Sequence, residues 1–144
     1  MPFSIRPFRS LVLAYFWGLW LLIALLVLST SPAYAEWVSV VIVDSTTVYV
    51  DQNTIHRNGE LVKVWVLADF ARANTSQGII SWSATSQEEY DCTQERTRTV
   101  ALTYFSGPMG SGKVNYSDLV ENKWGPVAPG SVAQLLLRVV CRKQ

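Results

Sequence analysis

Histidine occurs once in the 144 residues, and cysteine and methionine twice each. His56 with only Cys92 and Cys141 leaves little material for metal or triad chemistry. A surplus of one charge is also missing, because residues 36–144 hold ten basic against eleven acidic side chains. That near balance argues against a nucleic-acid binder, which would show a basic patch, and against a polybasic membrane-surface protein. No second long apolar run follows the first 28 residues, and no repeat or low-complexity segment is visible.

What is present divides the chain in two. Residues 1–35 are overwhelmingly apolar and carry only Arg6 and Arg9 as charges. Residues 11–28 are uncharged throughout, Ser29-Thr30-Ser31-Pro32 breaks the pattern, and Ala33-Tyr34-Ala35 follows. A basic start, an apolar stretch and an A-x-A ending make a secretory signal, with cleavage expected between Ala35 and Glu36. The apolar run is also long enough for a retained membrane anchor. Either way residues 36–144 are expected outside the cytoplasm as one domain. Pro7-Phe8 separates the two arginines, so no twin-arginine signal exists, and no cysteine near the cut could take a lipid. An oxidising compartment favours pairing of the two cysteines, so a structural disulfide Cys92–Cys141 is expected.

Sixteen valines stiffen residues 36–144 toward extended structure. Strands are expected at residues 37–43 and 46–51. A further segment at 54–57 leads through Asn58-Gly59 into a strand over 60–70, since Asn-Gly is a strong hairpin signal when both turn positions take positive φ. Val62, Val64, Val66, Ala68 and Phe70 alternate onto one face of that strand, with Leu61, Trp65 and Leu67 on the other and Trp65 expected in the core. Residues 74–85 are polar and read as a loop with a short strand. Residues 89–105 read as one long strand, with Arg96 and Arg98 on the apolar face and a turn at 107–112 beyond it. A short strand at 113–117 and a Pro/Gly-rich connection at 124–130 complete the sheet region. Ser131 and Gln134 form an S-x-x-Q capping box. Val132, Leu135, Leu136, Val139 and Val140 then make a helical stripe, with Arg138, Arg142 and Lys143 toward its negative end. The fold class expected is α+β: an antiparallel sheet of five or six strands with a C-terminal helix packed on it and one disulfide.

Gly107-Pro108-Met109-Gly110-Ser111-Gly112-Lys113 fits the G-x-x-x-x-G-K of a phosphate loop. Val114 stands where the magnesium-binding Ser or Thr belongs, and an extended segment follows where a helix is needed. A glycine-rich turn is the expectation. Asp44, Asp51, Asp69 and Asp91 lie at strand ends and turns, the ordinary place for aspartate. His56 is expected as an exposed strand residue. No catalytic residue, metal site or cofactor is expected. Among the aromatics, Trp82 and Trp124 sit in segments read as loops and are the candidates for contact with a protein partner.

The order of several short motifs resembles the surface-adhesin protein E family. Val48-Tyr49-Val50-Asp51, Thr54-Ile55, Gly59 and Val62-Lys63-Val64-Trp65-Val66-Leu67 resemble its opening. Glu89-Tyr90-Asp91-Cys92 with Arg96 and Arg98 resembles its central strand. Met109-Gly110-Ser111-Gly112, the run from Trp124 through Gly130 to Ser131, and Cys141 resemble its close. The resemblance implies a small exported domain of Gram-negative bacteria, adhesion to a host matrix or plasma protein, and a homodimer. It departs from the lipid-anchored adhesin type, because Ala35-Glu36 offers no cysteine. Residues 1–35 are thus expected to be a signal peptide or anchor and 36–144 an adhesin E-like domain. That domain is expected to be non-enzymatic, placed in the periplasm or cell envelope, and to bind a host matrix or envelope protein. The rival expectation is an envelope structural or stress protein with no host ligand. Neither involves nucleic acid, and membrane contact comes only through an uncleaved leader.

Overall fold

The computed structural model describes residues 16–21, 35–120 and 122–142. The chain divides into two units, Met1–Tyr34 and Ala35–Gln144. In the first, residues 16–21 are helical, and Phe16, Trp17, Leu19, Trp20 and Leu21 are exposed. Among the described residues no helix is long and apolar enough to cross a membrane. Arg6, Arg9, most of the apolar run and Ala33-Tyr34 lie outside the described residues, while Ala35 and Glu36 are exposed and irregular.

The second unit is an antiparallel sheet bearing one helix. Its strands are β1 (Trp37–Val43), β2 (Thr46–Asp51), β3 (His56–Asn58), β4 (Leu61–Ser76), β5 (Ile79–Asp91), β6 (Arg96–Phe105), β7 (Val114–Leu119) and β8 (Gly125–Pro126). The helix, α1, spans Val132–Val140. Six strands run in the order β1-β2-β4-β5-β6-β7, with β3 pairing β4 and β8 pairing β6. Sequential neighbours joined by short turns produce this meander. Asp44 and Ser45 turn β1 into β2 with φ of 47° and 65°, the doubly positive pair that matches strand twist.

β2 and β3 are one strand interrupted by a 3-10 turn at Gln52–Thr54, and both pair with β4. The Asp51 carboxylate starts the turn by accepting from the Asn53 N–H at 3.1 Å. Where the backbone leaves the sheet, the Thr54 hydroxyl accepts the Trp65 N–H at 3.0 Å, so no strand donor of β4 is orphaned there.

Register assigns the faces, because residues opposite one another in a ladder share a side. Val50–Val66, Val48–Ala68, Val62–Tyr90 and Val64–Glu88 are such pairs. Val48, Val50, Val62, Val64, Val66 and Tyr90 are buried on this face beneath Leu136, Leu137 and Val140 of α1. Ser131 caps the helix by accepting from the Gln134 N–H at 3.2 Å. The Gln134 side chain reaches back one residue further than a reciprocal box requires, accepting from the Gly130 N–H at 2.9 Å. At the other end, Arg57 of β3 donates to the Val140 carbonyl at 3.1 Å, satisfying one of the four carbonyls a helix leaves open. Cys141 ends the helix and is bonded to Cys92.

Six local expectations are corrected by the structure. The hairpin after Asn58 turns on Gly59 and Glu60, since Asn58 already pairs with Leu61, and only Gly59 has positive φ (62°). Residues 74–85 are not a loop but the two arms of the β4–β5 hairpin, closed by Gln77 (φ 49°) and Gly78 (φ 80°). Most of that arm's side chains meet solvent, so the pairing exists without an apolar alternation to announce it. The expected strand over 89–105 breaks into β5 and β6 at a turn containing Cys92. There Asp91 Oδ1 accepts from the Thr93 and Gln94 N–H groups at 3.1 and 2.9 Å. A bulge at Val100 then reverses side-chain parity, because Gln87 opposes Ala101 while Glu88 opposes Thr99. Arg96 and Arg98 consequently face away from α1. Trp65 likewise sits half-buried on the face opposite the helix rather than in the core. The helical stripe is rotated too, with Leu137 buried and Leu135 exposed.

Candidate functional site

The face under α1 continues beyond the helix along β5, β6 and β7. Its rows are Glu88–Thr99, then Ser86–Leu102–Asp118, then Ala84–Tyr104–Tyr116. A hollow of about 330 Å³ opens there, lined by Ser86, Glu88, Thr99, Leu102, Tyr104 and Tyr116, with Val120 and Asn122 at one side. The β4–β5 hairpin bends enough for Gln77 and Ile79, near its tip, to line the same space. Asn115 of β7, two strands away in the sheet, donates its side-chain N–H to the Ile80 carbonyl at 2.7 Å. That bond ties the arm of β5 to β7 next to Ile79 and Tyr116 of the lining.

Glu88 is its only charged lining residue among those described. The Thr99 hydroxyl bridges its two carboxylate oxygens at 3.1 and 3.0 Å. Burial pushes the Glu88 carboxyl above the usual carboxylate range, and hydrogen bonds from Ser86 and Thr99 only partly offset this. The folded chain therefore holds that proton more tightly than the unfolded chain. Its contribution is most favourable at low pH and is lost as pH rises through the folded value. The Tyr104 and Tyr116 rings form one wall, their centroids 6.0 Å apart and their planes tilted by 45°. Tyr116 also donates to Asp118 at 3.1 Å.

The opposite face carries the charges that are paired. Lys63 and Arg98 flank Glu89, at 3.0 Å from Lys63 Nζ and 2.6 Å from Arg98 Nε. Burial raises the Glu89 carboxyl, but the two cations outweigh it and hold it below the ordinary range. Arg96 lies 2.9 Å from Asp91, and this contact with the turn N–H bonds likewise lowers the Asp91 carboxyl. The Arg98 and Arg96 guanidinium carbons stand 4.9 and 5.5 Å from the Trp124 ring centroid. Trp124 is thus half-buried and already faces two cations of its own chain, with β8 pinned beside β6. Trp82, on the β5 arm, is 42% exposed and Ile80, two residues earlier, 60%.

The remaining sequence candidates have local roles. Asp44 sits in the β1–β2 turn, Asp51 starts the 3-10 turn, and Asp69 accepts from the Met109 N–H at 2.6 Å. His56 is exposed on β3. The phosphate-loop-like segment connects β6 to β7, with Pro108–Gly110 in a 3-10 turn folded against the sheet. Gly112, at φ 80°, lies where a Cβ would come within 2.6 Å of the Ser106 hydroxyl and 3.0 Å of the Gly107 nitrogen. Val114 begins a strand, so no helix N-terminus is offered to a phosphate.

Ser83, fully buried, anchors this loop by donating to the Gly107 carbonyl at 2.6 Å and accepting from the Gly110 N–H at 2.9 Å. Ser83→Ala leaves both backbone groups without that partner. It is expected to cost about 1–3 kcal/mol, read as a lower urea midpoint at unchanged m-value.

A family model described as Surface-adhesin protein E matches residues 37–142. Solved structures of Haemophilus influenzae protein E are similar in fold. Crystal form II is 10% identical, with a TM-score of 0.56 over 76% of this chain and 89% of that one. The selenomethionine form is 11% identical, with a TM-score of 0.56 over 76% and 88%. Protein E from the non-typeable organism is 10% identical, with a TM-score of 0.54 over 77% and 78%. A comparison with curated proteins finds no match.

Proposed function

The chain belongs to the surface-adhesin protein E family, and from that premise we propose that it is an exported, non-enzymatic module binding a host matrix or envelope protein. The observation carrying this reading is Trp82, an indole left open to solvent beside exposed Ile80 on an arm tied down by the Asn115 bond. A large aromatic held rigidly at a surface loses little entropy on contact, and tryptophan is enriched among residues that dominate interfaces. Trp124, already stacked on Arg96 and Arg98, contributes less free surface. The expected leader directs the domain to the periplasm or cell envelope, with cleavage before Glu36.

Trp82→Ala is expected to weaken binding to immobilised matrix or plasma protein by tenfold or more, in keeping with hot-spot losses of about 2 kcal/mol. Its thermal midpoint should match the parent's. Equal binding by the variant would remove Trp82 from the interface. Protease treatment of intact cells separates an adhesin from a periplasmic structural protein, since only the former is reachable.

A further inference from the structure

We propose that the hollow between β5, β6 and β7 receives a guanidinium group, an arginine side chain of the partner polypeptide, with Glu88 as its counter-ion. The inference rests on the protein-binding reading and deepens it. Among the described residues Glu89 and Asp91 have cationic partners and Glu88 has none. The Thr99 hydroxyl supplies a single proton between its two oxygens and Ser86 one further hydrogen bond, fewer than the roughly four lone-pair sites of a carboxylate. A half-buried carboxylate without a cation is costly, and a cation entering the hollow removes that cost.

The rest of the lining fits a planar cation on an aliphatic stem. Tyr104 and Tyr116 present aromatic surface, which attracts a guanidinium both electrostatically and by stacking. Leu102 offers apolar contact to methylenes. Gln77 and Asn122, both exposed, add amide side chains to the lining, a residue type able to accept from the donors that Glu88 does not take. A compact ammonium uses fewer of these features, since it neither stacks nor forms a planar fork. About 330 Å³ holds one such side chain and not a second strand. Ser86, Glu88, Thr99, Leu102, Tyr104 and Tyr116 all stand on hydrogen-bonded strands, which lowers the ordering cost of occupancy.

The test uses the exported protein purified with its disulfide intact and four probes: N-acetyl-arginine methylamide, its citrulline and lysine counterparts, and agmatine. Citrulline has the shape of arginine without the charge. Amide chemical shifts are followed during titration. Saturable shifts should appear with the arginine probe at residues 86–88, 99–104 and 116–120, with citrulline at least tenfold weaker and lysine weaker as well. Glu88→Gln keeps an oxygen for the Thr99 hydroxyl and should abolish the response while unfolding no earlier than the parent at neutral pH. Tyr104→Leu should weaken it several-fold. Absence of saturation, equal binding of citrulline, or an unchanged response in Glu88→Gln would overturn the proposal. Agmatine binding more tightly than blocked arginine would overturn a polypeptide source. Partner binding that Trp82→Ala abolishes and Glu88→Gln leaves intact would reject the hollow and keep the partner reading. Arginine binding in the hollow by a protein with no partner affinity would reject the partner reading instead.

Discussion

Replacing Cys92 and Cys141 together by alanine is expected to lower the unfolding free energy by about 4 kcal/mol, the chain-entropy value for a loop of about 50 residues. The two cysteines are 49 positions apart, and the bond joins the β5–β6 turn to Cys141, the residue that caps the C-terminus of α1. The chain between them includes β6, β7, β8 and the helix. Reduction would free that whole segment in the unfolded ensemble. The loss is a large fraction of the ~5–15 kcal/mol available to a domain. It would fall first on α1, because nine residues are too few for a stable isolated helix. Arg57 would remain as a tie at the helix end, through its bond to the Val140 carbonyl. Reductant should shift the thermal midpoint of the parent protein and leave the double variant unmoved. A parent midpoint indifferent to reductant would show that the bond does not carry the helix. The bond also connects fold to compartment, since a domain relying on it reaches full stability only after export.

The parts of this fold that were legible in the sequence are those with a one-to-one local signature. Ser131 and Gln134 marked the start of α1, valine alternation marked the buried face of β4, and two lone cysteines marked a clamp. The parts that were not legible depend on partners far along the chain. The polar β4–β5 arm is a strand because Asn74–Ser81 and Thr75–Ile80 pair across it, not because its residues alternate. The Val100 bulge is equally silent, since one inserted residue leaves composition untouched yet sends Arg96 and Arg98 to the opposite face. The hollow was hidden for the same reason. Glu88, Thr99 and Tyr116 come from three strands, and only the register brings them together. Trp82 and Trp124 looked alike in sequence, both placed in loops. They differ because Arg96 and Arg98, turned over by the bulge, meet one and not the other.

The helix supplies the second large expected effect and a sharp choice between two registers. Sequence spacing put Leu135 among the core-facing residues, whereas the structure buries Leu136, Leu137 and Val140 and leaves Leu135 38% exposed. Leu137, 6% exposed, packs with the cluster formed by Val48, Val50, Val62, Val64, Val66 and Tyr90. Removing its branched end from that cluster opens a cavity that the β-branched valines, stiff at χ1, refill poorly. Leu137→Ala is therefore expected to cost about 2–5 kcal/mol. Leu135→Ala should stay within about 0.5 kcal/mol, as exposed substitutions generally do, and alanine is if anything the better helix former. Urea unfolding of the two variants with the disulfide intact separates the registers. Comparable losses at both positions would mean that α1 is rotated from the orientation described, and the rows of the sheet that it covers would have to be reassigned.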